Sequence, residues 1–272
     1  MTEKLLLIGC GNMAGAMLAG WLRAGHGPER FAVLDPALDE APEGIALFRT
    51  SQEAEAAGHD AVLLGFKPQQ LRALAPTLQP LAGPGIAVHS LLGGITLAQV
   101  AAAFPDARAH VRVMPNLAAR IGKSPVILAG RGRGGQGLAD PEREGLRAFY
   151  DTLGLALWEA DETRFDLVTA LAGSGPAFVY RFIDALASAA VDLGLDESDA
   201  TRLATVMVEG AASLAAASDC APGQLANRVA SPGGMTREGM DVLDEGDALR
   251  RLLAEALRAT ARKGAALSRE IG

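Results

Sequence analysis

Residues 4–21 read KLLLIGCGNMAGAMLAGW, and this stretch decides the fold. Its first part, Leu5 to Ile8, is a short apolar run, which is typical of a strand buried on both faces. Gly9, Gly11 and Ala14 follow as the pattern G-x-G-x-x-A, and apolar residues continue at helical spacing at Met13, Met17, Leu18 and Trp21. A strand, a glycine loop and a helix in this order predict a dinucleotide-binding unit.

The glycine loop has a mechanical basis that favours this prediction over a plain turn. Gly9 permits a tight turn, Gly11 lets the backbone approach a pyrophosphate, and Ala14 lets the helix pack close to its strand. The phosphates would then meet free N–H groups at a helix start, where the helix dipole favours negative charge. We therefore expect the loop to bind the cofactor through five residues, namely Gly9, Cys10, Gly11, Asn12 and Met13.

The composition argues against several classes of function. The 272 residues allow two domains, or one domain with a large extension, and 49% hydrophobic residues are ordinary for a globular protein. The net charge of -7 disfavours nucleic acid and anionic membranes, because phosphate binding needs clustered Lys and Arg. Cys10 and Cys220 are too few for a disulfide framework, and the sequence contains no membrane-length apolar run and no recognisable signal peptide. We therefore expect a cytoplasmic protein.

A second strand, FAVLD at 31–35, ends on an acid about twenty residues after the glycine loop. The carboxylate of Asp35 can accept hydrogen bonds from the adenosine ribose; the alternative is a loop acid that precedes Pro36. Three more acids follow, and no Arg, Ser or Thr comes directly after the strand, so a 2′-phosphate would be repelled by Asp39, Glu40 and Glu43. These charges favour NADH over NADPH, although NADPH stays possible.

Strand-like and helix-like segments alternate as far as residue 160, which predicts a doubly wound, mostly parallel sheet of the Rossmann-like kind. Further strands are expected at 45–48, 60–65, 85–94, 110–116 and 124–130, and helices at 51–58, 69–79 and 96–104. The carboxyl ends of such strands line the cofactor crevice. The candidates there are Gly65, Phe66, Lys67, Pro68, Pro115 and Asn116, with a solvated loop lysine as the alternative for Lys67.

Three other features carry no chemistry of their own. The tract GRGRGGQG at 130–137 is interpreted as a flexible connection rather than an RNA-binding segment, since it is short and lacks aromatic residues. The four histidines, at positions 26, 59, 89 and 110, stand singly, so we expect no metal. Neither Ser90 nor Ser174 lies in the G-x-S-x-G motif of a hydrolase.

From Asp161 to the end the pattern is helical throughout, which predicts an α/β domain at 1–160 and an all-helical domain at 161–272. Helices are expected at 163–172, from Pro176, from an N-cap at Asp196, at 236–245 and at 247–268. Small residues recur along their apolar stripes and allow close helix packing. So much apolar helical surface predicts an obligate dimer interface; the alternative is a self-contained bundle.

The segment ASPGGMT at 230–236 lies between two helical segments. Consecutive glycines before a helix can turn several N–H groups toward one point and form an anion-binding nest. Thr236 adds a hydroxyl beside that nest. An N-cap with a tight turn is the alternative interpretation.

Five motifs in this order, GCGNMA, FKP, RVMPN, AGSGPAFV and VASPGGMT, resemble the pyrroline-5-carboxylate reductase family over nearly the whole chain. The resemblance implies reduction of 1-pyrroline-5-carboxylate to L-proline by NAD(P)H, the last step of proline biosynthesis. It also implies an N-terminal dinucleotide-binding domain and a C-terminal helical domain that forms a homodimer, with a larger homo-oligomer such as a decamer in many members.

The same resemblance assigns residues to the substrate, a small cyclic imino acid. Ser231 and the backbone N–H groups of Gly233, Gly234 and nearby residues would hold its carboxylate. Thr236 would be the catalytic residue that hydrogen-bonds the ring nitrogen. Asp219 stands where the family has an acidic residue near the substrate, from the partner chain or its neighbour. Leu117 and Ala118 replace a usual Thr-Pro, and Met235 replaces Thr or Ala, which leaves the identity of the substrate less certain than the reaction class.

Three other functions remain open. A hydroxyacid dehydrogenase commonly uses a lysine from its helical domain, but this chain has no lysine between 124 and 262. A reductase of another cyclic imino acid fits the same motifs. A protein that only senses NAD(P) would not need the segment at 230–236.

Overall fold

The computed structural model describes residues 4–271, with side chains as far as residue 266. The described chain divides into two compact units. The first contains the residues up to Ser174 and those from Thr260 onward, and the second is Gly175–Ala259. None of the described helices is long and apolar enough to cross a membrane.

The first unit is built on one eight-stranded sheet with strand order β3-β2-β1-β4-β5-β6-β7-β8. The strands are β1 Leu5–Ile8, β2 Phe31–Leu34, β3 Ala46–Phe48, β4 Ala61–Leu64, β5 Ala87–Ser90, β6 Ala109–Met114, β7 Ser124–Gly132 and β8 Gly154–Trp158. The helices of this unit are α1 Asn12–Arg23, α2 Ser51–Ala57, α3 Leu71–Leu78, α4 Leu97–Ala103, α5 Asp140–Asp151 and α6 Phe165–Ala172.

The sheet is mostly parallel, as the alternation of segments predicts. Strands β1 to β6 pair in parallel, β7 runs antiparallel to β6, and β8 runs parallel to β7. Both faces are covered by apolar side chains. Leu7 and Leu63 belong to the cluster that includes Trp21 of α1 and Tyr150 of α5, whereas Val62 belongs to the cluster on the other face. Because the central strands are buried on both faces, they have continuous apolar sequences instead of alternating ones.

Two elements at the β8 edge were not expected from the sequence, and part of one expectation was wrong. Helix α5 and strand β8 were missing from the prediction. Residues 130–132, interpreted as flexible connection, are the end of β7, where they pair with the first three residues of β6. A Cβ atom on Gly130 would lie 2.8 Å from Leu138 Cδ1 and 3.2 Å from Trp158 Cζ3, so a larger residue there requires these side chains to shift. The glycines at 130 and 132 therefore belong to a strand, where glycine allows close packing, and the interpretation as a flexible connection was wrong for this part of the tract.

The second unit is helical, as predicted. It contains α7 Gly175–Asp192, α8 Glu197–Ala216, α9 Pro222–Val229, α10 Met235–Asp244 and the beginning of α11, Ala248–Ile271, which ends in the first unit. The carboxylate of Asp196 accepts hydrogen bonds from the N–H groups of Ser198 and Asp199, so it caps α8. Gly194 ends the preceding turn with φ of 104°.

The second unit buries little of its own apolar surface. Its buried cluster consists of Ala187, Ala200 and Ala204. Large apolar side chains are exposed along its helices, including Tyr180, Phe182, Leu203, Val206, Met207, Leu214 and Leu252. An apolar surface of this extent is typical of a protein–protein interface.

His89 is a polar residue on an apolar face of the sheet. It lies on β5 opposite Leu63 of β4 and is 2% exposed. Its Nδ1 hydrogen-bonds the hydroxyl of Tyr150 on α5 at 2.8 Å. Burial, with a smaller contribution from the charge of Arg108, lowers the pKa of His89 to about 4, so the ring is neutral at pH 7.

We predict that His89 makes the fold sensitive to acid. Between its pKa in the unfolded chain, about 6.5, and its pKa of about 4 in the folded protein, only the unfolded chain binds the proton. The free energy of unfolding should therefore decrease as the pH is lowered through this window, by up to about 3 kcal/mol. Urea unfolding of wild type and His89→Gln at pH 7, 5.5 and 4.5 measures this. Parallel pH profiles of the two proteins would contradict it.

Candidate functional site

The glycine loop connects β1 to α1 through a close backbone contact with the end of β4. Gly9 has φ of 84°, a conformation that favours glycine, and its N–H donates to Leu34 O at 2.9 Å. A Cβ atom on Gly9 would lie 3.0 Å from Phe66 N. A Cβ atom on Gly65 would overlap the carbonyl oxygen of Gly9 and lie 3.0 Å from Ala14 Cβ. Small residues at these positions therefore let the loop, β4 and α1 meet.

The start of α1 is open to a ligand. Gly11 is the N-cap residue, no described side chain caps this end, and the first turn contains no acid. Nothing in the described chain lies within 4 Å of where a Cβ of Gly11 would be. The first N–H groups of a helix have no intrahelical partner, and here they face open space beside exposed Asn12. This geometry fits a pyrophosphate, which needs N–H donors and close backbone approach.

Asp35 holds the loop in place from the end of β2. Its Oδ2 accepts a hydrogen bond from Cys10 N at 2.9 Å, and its Oδ1 accepts one from Ala37 N at 2.9 Å. Burial, helped by the negative charge of Asp35, raises the pKa of the Cys10 thiol. Cys10 is therefore a protonated thiol at neutral pH and a poor nucleophile.

Arg49 is a part of this region that the sequence did not reveal. It follows β3 and donates hydrogen bonds to the carbonyl oxygens of Asp35 at 3.0 Å and Asp39 at 2.9 Å, and to that of Leu38. The cation thus ties down the loop after β2. Its distance from Asp35 in sequence, and the absence of any motif around it, hid this role.

The other predicted cofactor residues follow the ends of β4 and β6. Because β1, β2, β4, β5 and β6 are parallel, their carboxyl ends meet at one edge, which we call the cofactor edge. Lys67 is exposed there, and its N–H donates to Gln70 Oε1 at 3.1 Å. Phe66 packs on the core beneath it. The edge also includes residues 91–94 after β5, a segment with two glycines that could have been found by the same argument.

Asn116 has a structural role at the same edge. Its Oδ1 accepts a hydrogen bond from Ala118 N at 2.9 Å, and its Nδ2 donates to Ala172 O at 2.8 Å. Its backbone N–H donates to Ser124 Oγ at 2.9 Å. The side chain is thus engaged inside the protein, together with buried Pro115. Direct contacts of Pro115 and Asn116 with a cofactor stay predictions.

In the second unit, residues 231–234 form a tight turn before α10, which we call the SPGG turn. Gly234 N donates to Ser231 O at 3.0 Å, and Gly233 has φ of 72°. Proline followed by a glycine with positive φ is the signature of a type II turn. Gly234 is the N-cap of α10, and no side chain in the described chain caps this end. The first N–H groups of α10 are therefore available to an anion.

The remaining predicted substrate residues also lie in the second unit. Thr236 is exposed in the first turn of α10, directly after Met235, which is 86% exposed. Arg237 pairs with Asp241 at 2.9 Å within the same helix. Asp219 is exposed on the loop between α8 and α9. The structure thus places Ser231, Gly233 and Gly234 in the SPGG turn and Thr236 directly after it in α10. Asp219 is on a different loop.

A doubly wound sheet with an open glycine loop, followed by a helical unit in which a turn precedes an uncapped helix, fits the plan of a nicotinamide-dependent oxidoreductase. Residues 4–87 match a family model described as NADP oxidoreductase coenzyme F420-dependent. Residues 162–267 match a model described as pyrroline-5-carboxylate reductase dimerisation.

Proteins that are similar to this chain over nearly its whole length identify its family. A pyrroline-5-carboxylate reductase of Pseudomonas aeruginosa is 31% identical, over 100% of this chain and 99% of the relative. One from Pisum sativum is 32% identical, over 96% of this chain and 94% of the relative. The solved structure of a pyrroline-5-carboxylate reductase from Coxiella burnetii is 29% identical with a TM-score of 0.89, covering 98% of this chain and 99% of that one. The chain belongs to the pyrroline-5-carboxylate reductase family.

We predict that Gly65→Ala damages the cofactor edge. The added methyl group would collide with backbone of the glycine loop, which cannot move without displacing Asp35. We expect a stability loss of about 1–3 kcal/mol and clearly weaker NADH binding, measured by urea unfolding and by NADH fluorescence. Gly83→Ala is the matched control, because the position has open space around it. Unchanged NADH binding in Gly65→Ala would contradict this geometry.

Proposed function

We propose that this protein reduces 1-pyrroline-5-carboxylate to L-proline with NAD(P)H, the last step of proline biosynthesis. The observation that carries the proposal is the SPGG turn with Thr236 at the start of α10. This turn lies inside the segment that matches the reductase dimerisation family. A plain cofactor-binding protein has no need for a second anion-binding turn with a hydroxyl beside it.

The turn suits an amino-acid-like substrate. The carboxylate would accept hydrogen bonds from Ser231, from the N–H of Gly233 and from the first N–H groups of α10, because the N–H of Gly234 already donates to Ser231 O. Gly233 has positive φ, which glycine adopts without strain, and it carries the chain from the turn into α10. The helix dipole places a partial positive charge at the start of α10, and this adds to the attraction for the carboxylate.

The chemistry needs few groups from the protein. A bound reduced nicotinamide would supply the hydride to the imine carbon. A protonated cyclic imine is already an electrophile, so the protein's task is to orient the ring and keep its nitrogen protonated. The hydroxyl of Thr236 would hydrogen-bond that nitrogen and hold its proton there. Asp219 is on a different loop from the SPGG turn; supplied by a neighbouring chain of the oligomer, it would place a negative charge near the ring, which favours the iminium form.

This proposal requires no metal. The positively charged imine replaces the Lewis acid that a neutral ketone would need. Among the residues whose side chains are described, no group of three or more His, Cys, Asp or Glu could hold a metal ion. The absence of a metal stays a prediction.

For the cofactor we propose a preference for NADH. The carboxylate of Asp35 lies at the end of β2, where the adenosine ribose binds in doubly wound folds. Its negative charge, with Asp39, Glu40 and Glu43 nearby in the chain, opposes a 2′-phosphate. Arg49 is the counterargument, because its charge lies in the same loop. Its guanidinium already donates to three loop carbonyls, which leaves it less available to a phosphate.

The family and the surface of the second unit support an oligomer. The matched dimerisation model covers α6 to most of α11. Exposed apolar side chains on these helices would be buried against a second copy. We propose a homodimer; a larger assembly such as a decamer and a cytoplasmic location stay predictions, the latter supported by two free cysteines.

Three residues that depart from the family pattern bear on the substrate. Leu117 is about half-exposed next to Ala118 at the cofactor edge, and Met235 is exposed beside the SPGG turn. They add apolar surface where the substrate ring or the nicotinamide would lie, so their effect on specificity is tested by comparing 1-pyrroline-5-carboxylate with the six-membered cyclic imine.

We predict that Thr236→Ala lowers kcat by at least about tenfold while the Kd for NADH stays the same, because only the hydrogen bond to the ring nitrogen is lost. Thr236→Ser keeps the hydroxyl and is the matched control, which should retain most activity. NADH oxidation with 1-pyrroline-5-carboxylate, followed by absorbance, gives kcat, and NADH fluorescence gives Kd. No oxidation by wild type that binds the cofactor would refute the proposed function.

We predict that Asp35→Asn shifts the cofactor preference toward NADPH. The amide oxygen can still accept from Cys10 N, whereas the bond from Ala37 N is lost, and the charge that repels a 2′-phosphate is removed. The ratio of kcat/KM for NADPH to that for NADH should rise about tenfold. Arg49→Gln is the companion variant. If Arg49→Gln abolishes NADPH use and Asp35→Asn leaves the ratio unchanged, the assignment of NADH is wrong.

A further inference from the structure

A cavity of about 400 Å³ lies in the first unit, between the sheet and α5. Leu5 and Ala61, the first residues of β1 and β4, form its floor with His89 of β5. Arg30 and Arg108, which directly precede β2 and β6, lie at its side. The cavity is thus at the amino edge of the parallel strands, opposite the cofactor edge, and is separate from the glycine loop.

Two residues that line this cavity each carry a polar atom that has no partner in the described part of the chain. These atoms are Nε2 of His89 and Nε of Arg30, and both are buried. A buried donor without a partner is costly, so such atoms point to a ligand or water that the protein alone does not supply. His89 is 98% buried, since only 2% of it is exposed. Its burial on an apolar sheet face makes it an unusual choice for a purely structural residue.

The two groups are held in fixed positions by other contacts. His89 Nδ1 is paired with Tyr150, and when the tyrosine hydroxyl donates to Nδ1 the ring proton lies on Nε2. Arg30 donates from Nη1 to His26 Nδ1 at 2.6 Å and lies over the ring of Phe149 at 5.5 Å. Both unpartnered atoms are then N–H donors. The cavity therefore fits a hydrogen-bond acceptor.

The charges and walls of the cavity narrow the class of ligand. Arg108 forms an ion pair with Glu142, which leaves Arg30 as the cation without an ionic partner among the lining residues. The single net positive charge of the cavity, on Arg30, suits a ligand with a single negative charge. Leu146 and Phe149 of α5 provide apolar walls. A small molecule with a single carboxylate and a short carbon skeleton matches both features.

We propose that this cavity is a second binding site that takes a small organic monocarboxylate, with the carboxylate on Arg30 Nε and His89 Nε2. The assignment does not depend on the proposed reaction, because its residues are at the opposite edge of the sheet from the glycine loop and belong to a different unit from the SPGG turn. A ligand here would brace α5 against β5.

Trp21 offers a direct readout. The chain has two tryptophans, and the ring of Trp21 stacks on Phe149, a wall of the cavity, at 4.8 Å. In a Trp158→Phe background, the emission of Trp21 should change in a saturable way when isobutyrate is added to the full-length protein. Isobutyramide has the same shape without the charge and should give no saturable change. Inorganic phosphate should bind more weakly than isobutyrate, since it offers no apolar group.

Matched variants separate this site from the substrate turn. Arg30→Gln should weaken isobutyrate binding about tenfold, and Arg30→Lys, which keeps the charge but loses Nε–H, should be intermediate. Ser231→Ala should leave the Trp21 response unchanged, because the SPGG turn is another site. Arg30 is only partly buried, so these variants do not require rebuilding of the core. His89→Gln should also weaken binding.

The possible outcomes each decide the question. A saturable isobutyrate response that depends on Arg30 and not on Ser231 supports the proposal. The same response in Arg30→Gln as in the parent overturns it, and so does an equal response to isobutyramide. Tighter binding of phosphate than of isobutyrate overturns the monocarboxylate assignment. No response to any of the three probes means that water fills the cavity, and the proposal is then wrong.

Discussion

The contact between the backbones of Gly9 and Gly65 is the constraint on which the cofactor half depends. Parallel strands are about 4.8 Å apart, and the loop that leaves β1 must cross the end of β4 without a side chain between them. That crossing brings Ala14, and with it the whole of α1, against the sheet. Asp35 then fixes the loop through Cys10 N. The direction of the α1 N–H groups, and so the place of an anion, follows from a few small residues.

The sequence was sufficient to predict this half because its signals are local. Each central strand is a short apolar run next to a glycine or proline, and the spacing of GCGNMA fixes strand, turn and helix together. The signals failed at α5 and β8. Helix α5 is rich in charge and buries mainly Leu146 and Tyr150, so its apolar stripe is thin, and β8 exposes Leu155 and Leu157. What organises these elements is contact with β7 and α1, which no local pattern encodes.

The functional residues divide in the same way. The SPGG turn could be read from Pro232 and Gly233, because a type II turn has a residue signature. The role of Arg49 and the cavity between the sheet and α5 could not be predicted from the sequence, because the residues that form them are distant from one another in the chain. His89 looks like one of four isolated histidines in the sequence. Only the fold shows that His89 is buried on an apolar face beside Tyr150 and lines the same cavity as Arg30.

The thin core of the second unit has a consequence for how this protein folds. Three alanines cannot offset the conformational entropy of 85 helical and loop residues, from Gly175 to Ala259. For such a chain, assembly and folding of the helical half become one event, and the folded fraction depends on protein concentration. Dilution then favours unfolding of this unit, whereas the first unit, with two full apolar clusters, depends less on protein concentration.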